Sequence, residues 1–72
     1  MKTHYLGLWG KHRKLYPFPP RYAVASTIEH NAPWIREAWV VTGSANVDEA
    51  RRRVARVKAG APGGDPGVRR LK

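Results

Sequence analysis

Residues 46–60, Asn-Val-Asp-Glu-Ala-Arg-Arg-Arg-Val-Ala-Arg-Val-Lys-Ala-Gly, carry a helix together with the signals that start and stop it. Asn46 suits the N-cap, where a short side-chain oxygen accepts from an orphan amide of the first turn. Glu49, three residues later, has the reach to return to the cap's own amide, as in a capping box. Asp48 and Glu49 face the positive end of the helix dipole and Lys58 the negative end. Gly60 can take the left-handed conformation that closes the last turn. Val47, Ala50, Val54 and Val57 fall at helical spacing and form one apolar stripe. Arg52, Arg53 and Arg56 project from the opposite side, with Asp48–Arg52 and Glu49–Arg53 spaced as i,i+4 pairs. One element, one buried face and one basic face are thereby specified.

The remaining chain must supply something for that stripe to pack on, and there is little of it. A chain of 72 residues makes one domain, burying only about 60% of its unfolded-chain surface. Cysteine is absent, so neither a disulfide nor a thiolate metal site supplements the core. No apolar run approaches the roughly 20 residues of a membrane helix, and the apolar start at residues 5–9 is too short for a secretory signal. These features lead to the expectation of a complete, small, cytoplasmic protein with no membrane association.

Two stretches have strand character. Tyr22-Ala23-Val24-Ala25-Ser26-Thr27-Ile28-Glu29 and the run 34–42, with Ile35, Trp39, Val40 and Val41, are rich in β-branched and aromatic residues. His30-Asn31-Ala32-Pro33 between them reads as a turn, so the pair reads as a hairpin. Tyr22, Val24 and Ile28 would share one face, as would Ile35, Trp39 and Val41, and the valine stripe would pack across it. A weaker strand is expected over residues 3–9, interrupted by Gly7. Tyr16-Pro17-Phe18-Pro19-Pro20 should be extended and polyproline-like. Residues 61–72 are Gly/Pro-rich and then basic, and read as a disordered tail. The expected class is α+β: a small antiparallel two- or three-stranded sheet followed by one amphipathic helix and that tail. Its divisions are a basic, aromatic segment with a Pro-rich linker (1–21), a β-β-α core (22–60) and the tail (61–72).

Charge is distributed unevenly around a net +9. Lys2, Lys11, Arg13, Lys14 and Arg21 stand without an acid in residues 1–22. Beyond residue 50, Arg51, Arg52, Arg53, Arg56, Lys58, Arg69, Arg70 and Lys72 face Asp65 alone. Such a balance favours polyanionic partners. The richness in Arg, Ala, Gly and Pro also fits a GC-rich coding genome, which weakens any argument from arginine number alone. No catalytic constellation is present: His4, His12 and His30 lack metal-ligand spacing, Ser26 and Ser44 lie outside any nucleophile elbow, and no Gly-rich loop joins a strand to a helix. Neither an enzyme activity, a cofactor nor a small-molecule substrate is expected.

Two kinds of partner remain. Phosphate contacts are expected from Lys11, Arg13, Lys14, Arg21, Arg52, Arg53, Arg56, Arg69 and Arg70, with Arg56 the helix residue least accounted for by a neighbouring acid. Cations interleaved with Tyr5, Trp9, Tyr16, Phe18 and Tyr22 also suit single strands, whose bases stack on rings, although Trp9, Trp39 and Tyr22 are expected to pack together as core. The alternative is docking on a larger protein assembly, phage- or ribosome-associated, through Tyr16, Pro17, Phe18 and Pro20. Lys14, Pro17 and Pro20 have the spacing of a polyproline ligand for an aromatic groove, and a rigid spacer explains that spacing equally well.

The strand running into Thr42-Gly43-Ser44 and the helix beginning Asp48-Glu49-Ala50 loosely resemble, over residues 34–57, the three-stranded DNA-binding domains of phage-type integrases and plant transcription factors. The resemblance implies a sheet that enters the major groove with the helix packed behind it. The arginine and tryptophan signature of those families' first two strands is absent, so no site residue is carried over.

Overall fold

The computed structural model describes residues 2–9, 11, 13–18 and 35–72. Among these residues four strands and one helix follow in the order β1 (Lys2–Trp9), β2 (Tyr16–Pro17), β3 (Ile35–Ser44), α1 (Val47–Lys58) and β4 (Val68–Arg70). The strands form one antiparallel sheet in the order β2-β1-β3-β4. The α+β class holds, with four strands rather than two or three. No helix among the described residues is long and apolar enough to cross a membrane.

The helix follows its sequence signals closely. Asn46 is the N-cap and accepts from the Glu49 amide at 2.8 Å. Glu49 reaches back to the Ala45 amide at 3.2 Å, one residue before the cap amide expected. At the other end Gly60 has φ +83°. Its amide donates to Val57 O at 3.0 Å, and the Ala61 amide donates to Arg56 O at 3.1 Å, the paired bonds of a Schellman cap. Ala50 and Val54 are buried, with Val47 and Val57 packed beside them.

The sheet is apolar on both faces. Leu6, Trp39 and Val41 meet Ala50 and Val54 of the helix, and Leu15 and Val68 close the margins. Phe18, Ile35 and Ala38 gather on the opposite face with Tyr5, Trp9 and Leu71. Ile35 therefore does not share a face with Trp39 and Val41, as strict alternation would require. The β1–β3 register slips between Leu8/Glu37 and Trp9/Ile35, and a one-residue slip turns the following side chains to the other face. A second slip lies between Lys2/Ser44 and His4/Val41, beside Gly43 at φ +69°. The same division separates Trp9 from Trp39, which were expected in one cluster; Tyr22 lies outside the described residues. At Gly7 an added Cβ would run into the Phe18 ring, so β1 needs a residue without a side chain where that ring crosses it.

The strand partners also differ from the expected hairpin. β3 takes β1 on one edge and β4 on the other; the run 22–29, expected beside it, and Pro19 and Pro20 lie outside the described residues. β1 is an inner strand, and β2, which contains Pro17, is an edge, the position that tolerates proline. The sheet thus draws on all three divisions of the sequence, including 61–72.

The expectation of a disordered tail over 61–72 is corrected by the structure, in which Val68–Arg70 is a strand. Leu71 and Lys72 bond with Ala38, and the Thr42 amide donates to Gly67 O at 2.8 Å. Arg53 holds Asp65 bidentately, Nε to Oδ2 at 2.7 Å and Nη2 to Oδ1 at 2.8 Å. A Gly/Pro-rich segment has too little apolar surface to order itself. Here the free edge of β3 and a helix guanidinium supply partners that local composition does not reveal.

Candidate nucleic-acid interface

The connection between β1 and β2 is held against the helix by its last residue. Leu15 packs into the helix-side core, and the Nε of Arg51 donates to its carbonyl. Arg51 also reaches Asp48 at 3.1 Å, and its guanidinium stands 5.3 Å from the centre of the Tyr16 ring. With Leu15 fixed, Arg13 and Lys14 stand exposed beside one flank of α1. A groove of about 220 Å³ results, lined by Arg13, Lys14, Leu15, Arg51, Val54, Ala55 and Lys58. Among the described residues its lining holds four cations and no acid, with Leu15, Val54 and Ala55 as an apolar floor.

Ion pairing within the molecule sorts the cations. Arg53 is engaged on every side: besides Asp65, its Nη1 donates to Thr42 O at 2.8 Å and Gly43 O at 3.2 Å. Its side chain is only 14% exposed and that of Asp65 21%. The Arg53 hydrogen bond, followed by the Gly67 amide, holds the Asp65 carboxyl at about 2, and Asp65 in turn raises the Arg53 guanidinium. Arg53, expected to touch phosphate, serves instead to anchor residues 61–67. The expected Asp48–Arg52 and Glu49–Arg53 pairs are replaced by Asp48–Arg51 and Asp65–Arg53. This leaves Arg52 and Arg56 exposed on the outer ridge of the helix, with no ion pair among the described residues.

At the helix end, Glu37 is buried beside Trp39. The indole Nε1–H donates to Glu37 Oε2 at 2.6 Å, and Lys58 Nζ approaches both carboxylate oxygens at 3.0 and 3.2 Å. Burial alone would raise this carboxyl; the Lys58 and Trp39 hydrogen bonds and the Lys58 and Arg70 charges outweigh it and lower its pKa. Arg70 lies 5.6 Å above the Trp39 ring and donates to Lys72 O. Arg69 points from the other sheet face, in register with Val40, and is remote from the groove in direction. Lys11 is exposed on the same connection as Arg13 and Lys14. Arg21 lies outside the described residues.

The aromatic and proline candidates divide as well. Phe18, named for partner docking, is only 9% exposed and stacks tilted on Trp9 with ring centres 5.1 Å apart. It is core, because β2 delivers it across Gly7. Tyr16, 39% exposed, and the exposed Pro17 are strand residues, while Pro20 is outside the described residues. Ser44 hydrogen-bonds His4 Nδ1 and Lys2 O and is fully buried, while Ser26 lies outside the described residues. Among the described residues no three His, Asp or Glu side chains converge as a metal site.

Arg51 and Lys58 were not among the residues expected to contact phosphate. Their spacing with Ala55 along one helix flank was the available signal. Its significance depends on Leu15, 36 residues from Arg51. No family model, no characterised protein and no solved structure matches the chain. The face opposite α1, which the integrase-like arrangement would insert into DNA, is occupied by the Phe18–Ile35–Ala38 cluster.

Proposed function

We propose that this chain is a cytoplasmic accessory protein that binds nucleic acid through the phosphate backbone, acting by binding and not by catalysis. The observation that carries the reading is the groove lined by Arg13, Lys14, Arg51 and Lys58, with no acid among its described lining residues; Asp48 and Glu37, which pair with Arg51 and Lys58, stand outside the lining. Cations on two sides of a concave surface attract a polyanion and gain counterion-release free energy when it binds. Arg52, Arg56 and Lys11 are exposed as well and add to the positive surface available to a polyanion. Docking on a protein through Tyr16, Pro17, Phe18 and Pro20 has less support, because the burial of Phe18 removes one of its two rings.

Fluorescence anisotropy with a labelled oligonucleotide between about 25 and 300 mM salt tests the reading. Engagement of three or four phosphates gives a log K against log [salt] slope of about −2 to −4. The double variant Arg13→Ala/Lys14→Ala should weaken binding and make the slope shallower by about 1 to 2. Absence of binding at the lowest salt, in a protein shown folded by circular dichroism, rules the reading out.

A further inference from the structure

We propose that the groove takes single-stranded rather than duplex nucleic acid, with a base stacked at Tyr16; this rests on the phosphate-binding reading of the same groove. Three features of the groove select the ligand. Its floor is apolar, formed by Leu15, Val54 and Ala55. A duplex approaching a concave site offers only phosphate and sugar to such a floor, because its base faces are stacked inside. A single strand can turn a base face toward it. The same lining carries four cations, Arg13, Lys14, Arg51 and Lys58, so phosphates can be held at their charged ends while the apolar residues receive uncharged surface. The volume, about 220 Å³, is on the scale of one nucleoside unit and too small for a helix.

Tyr16 supplies the third feature. It follows Leu15 directly and is 39% exposed; it does not itself line the groove and adjoins it through Arg51, which does. Its place is fixed by strand pairing with Gly7 and by the Arg51 guanidinium over the ring. A ring held in this way gives a base an ordered stacking surface at low entropic cost, and the neighbouring arginine adds a cation–π contact. Stacking needs no particular base, so the site discriminates strandedness and not sequence.

The test uses the full chain and anisotropy of about 20-nucleotide probes: oligo-dT, oligo-rU and a mixed-sequence duplex of equal length. The wild type is expected to prefer at least one single strand over the duplex, and the two homopolymers show whether ribose or deoxyribose is favoured. Tyr16→Leu should weaken single-strand binding about tenfold, leave the salt slope unchanged, and leave duplex binding unaffected. Tyr16→Phe should retain wild-type affinity, and circular dichroism establishes that both variants are folded. Duplex bound as tightly as either single strand, with a normal salt slope, overturns the inference while leaving phosphate binding intact. Undiminished single-strand affinity in Tyr16→Leu overturns it too. If none of the three probes binds at low salt, both this inference and the phosphate-binding reading fall.

Discussion

Asp65 ties the last twelve residues to the helix. It takes both forks of Arg53, and its Oδ1 also accepts from the Gly67 amide at 2.9 Å. Charge-assisted bidentate bonds are among the stronger polar contacts available to a small protein. Its carboxyl sits at about 2, against an ordinary value of 3.8. A depressed carboxyl stabilises the fold above its unfolded value, and that contribution is lost as pH falls toward the folded one. Melting temperature should therefore decline as pH drops from 3.8 towards about 2, with Glu37, lowered from 4.5, adding to the same decline. Asp65→Asn should melt lower than wild type at neutral pH and show a flatter acid limb. An acid limb as steep in Asp65→Asn as in wild type would count against this role for Asp65.

At the scale of the element, α1 was legible almost residue by residue, because caps and stripe are local properties. Asn46 satisfies a first-turn amide, and losing it should cost about 1 kcal/mol. Asn46→Ala is expected to lower the urea midpoint accordingly with an unchanged m-value, and Asn46→Ser to keep most of the stability; equal loss in both would mean that the cap bond is immaterial. The partners of the helix arginines were not legible in the same way. Spacing alone makes Asp48–Arg52 and Glu49–Arg53 equivalent to the pairs observed. Arg53 leaves Glu49 because Asp65, Thr42 O and Gly43 O together satisfy more of its donors. Arg51 is drawn to the Leu15 carbonyl and keeps Asp48 at i,i+3. Strand β2 was equally hidden, since two residues including a proline carry no periodic pattern and pair only because β1 presents an edge.

For the molecule as a whole, the consequence is a sheet assembled from distant parts of the chain. β4 pairs with β3 over Trp39, Val40 and Val41, so removing residues 61–72 would strip three core positions of an edge partner and leave Arg53 without Asp65. Truncation after residue 60 is expected to lower the melting temperature by more than about 10 °C and to promote association through the opened β3 edge. Calorimetry and sedimentation check both effects; a truncated chain as stable and monomeric as the full one would show the segment to be dispensable. The candidate groove is likewise a product of the assembly. Arg13, Lys14, Arg51 and Lys58 were all recognisable as basic, but their meeting depends on Leu15 entering the core.

By itself the sequence determined what depends on neighbours within one or two turns: the helix with both ends, its apolar stripe, the strand character within the run 34–42, and an excess of positive charge. Hydrogen-bonded caps and side-chain periodicity act over a few residues and are written where they act. Tertiary structure alone decided which strands are neighbours, which face Ile35 occupies, whether 61–72 is ordered, and which cations are used internally. Those outcomes depend on register slips, on an edge left open by β3, and on competition among guanidiniums for a few acids and carbonyls. Such competition is settled by distances in space, which spacing along the chain does not encode.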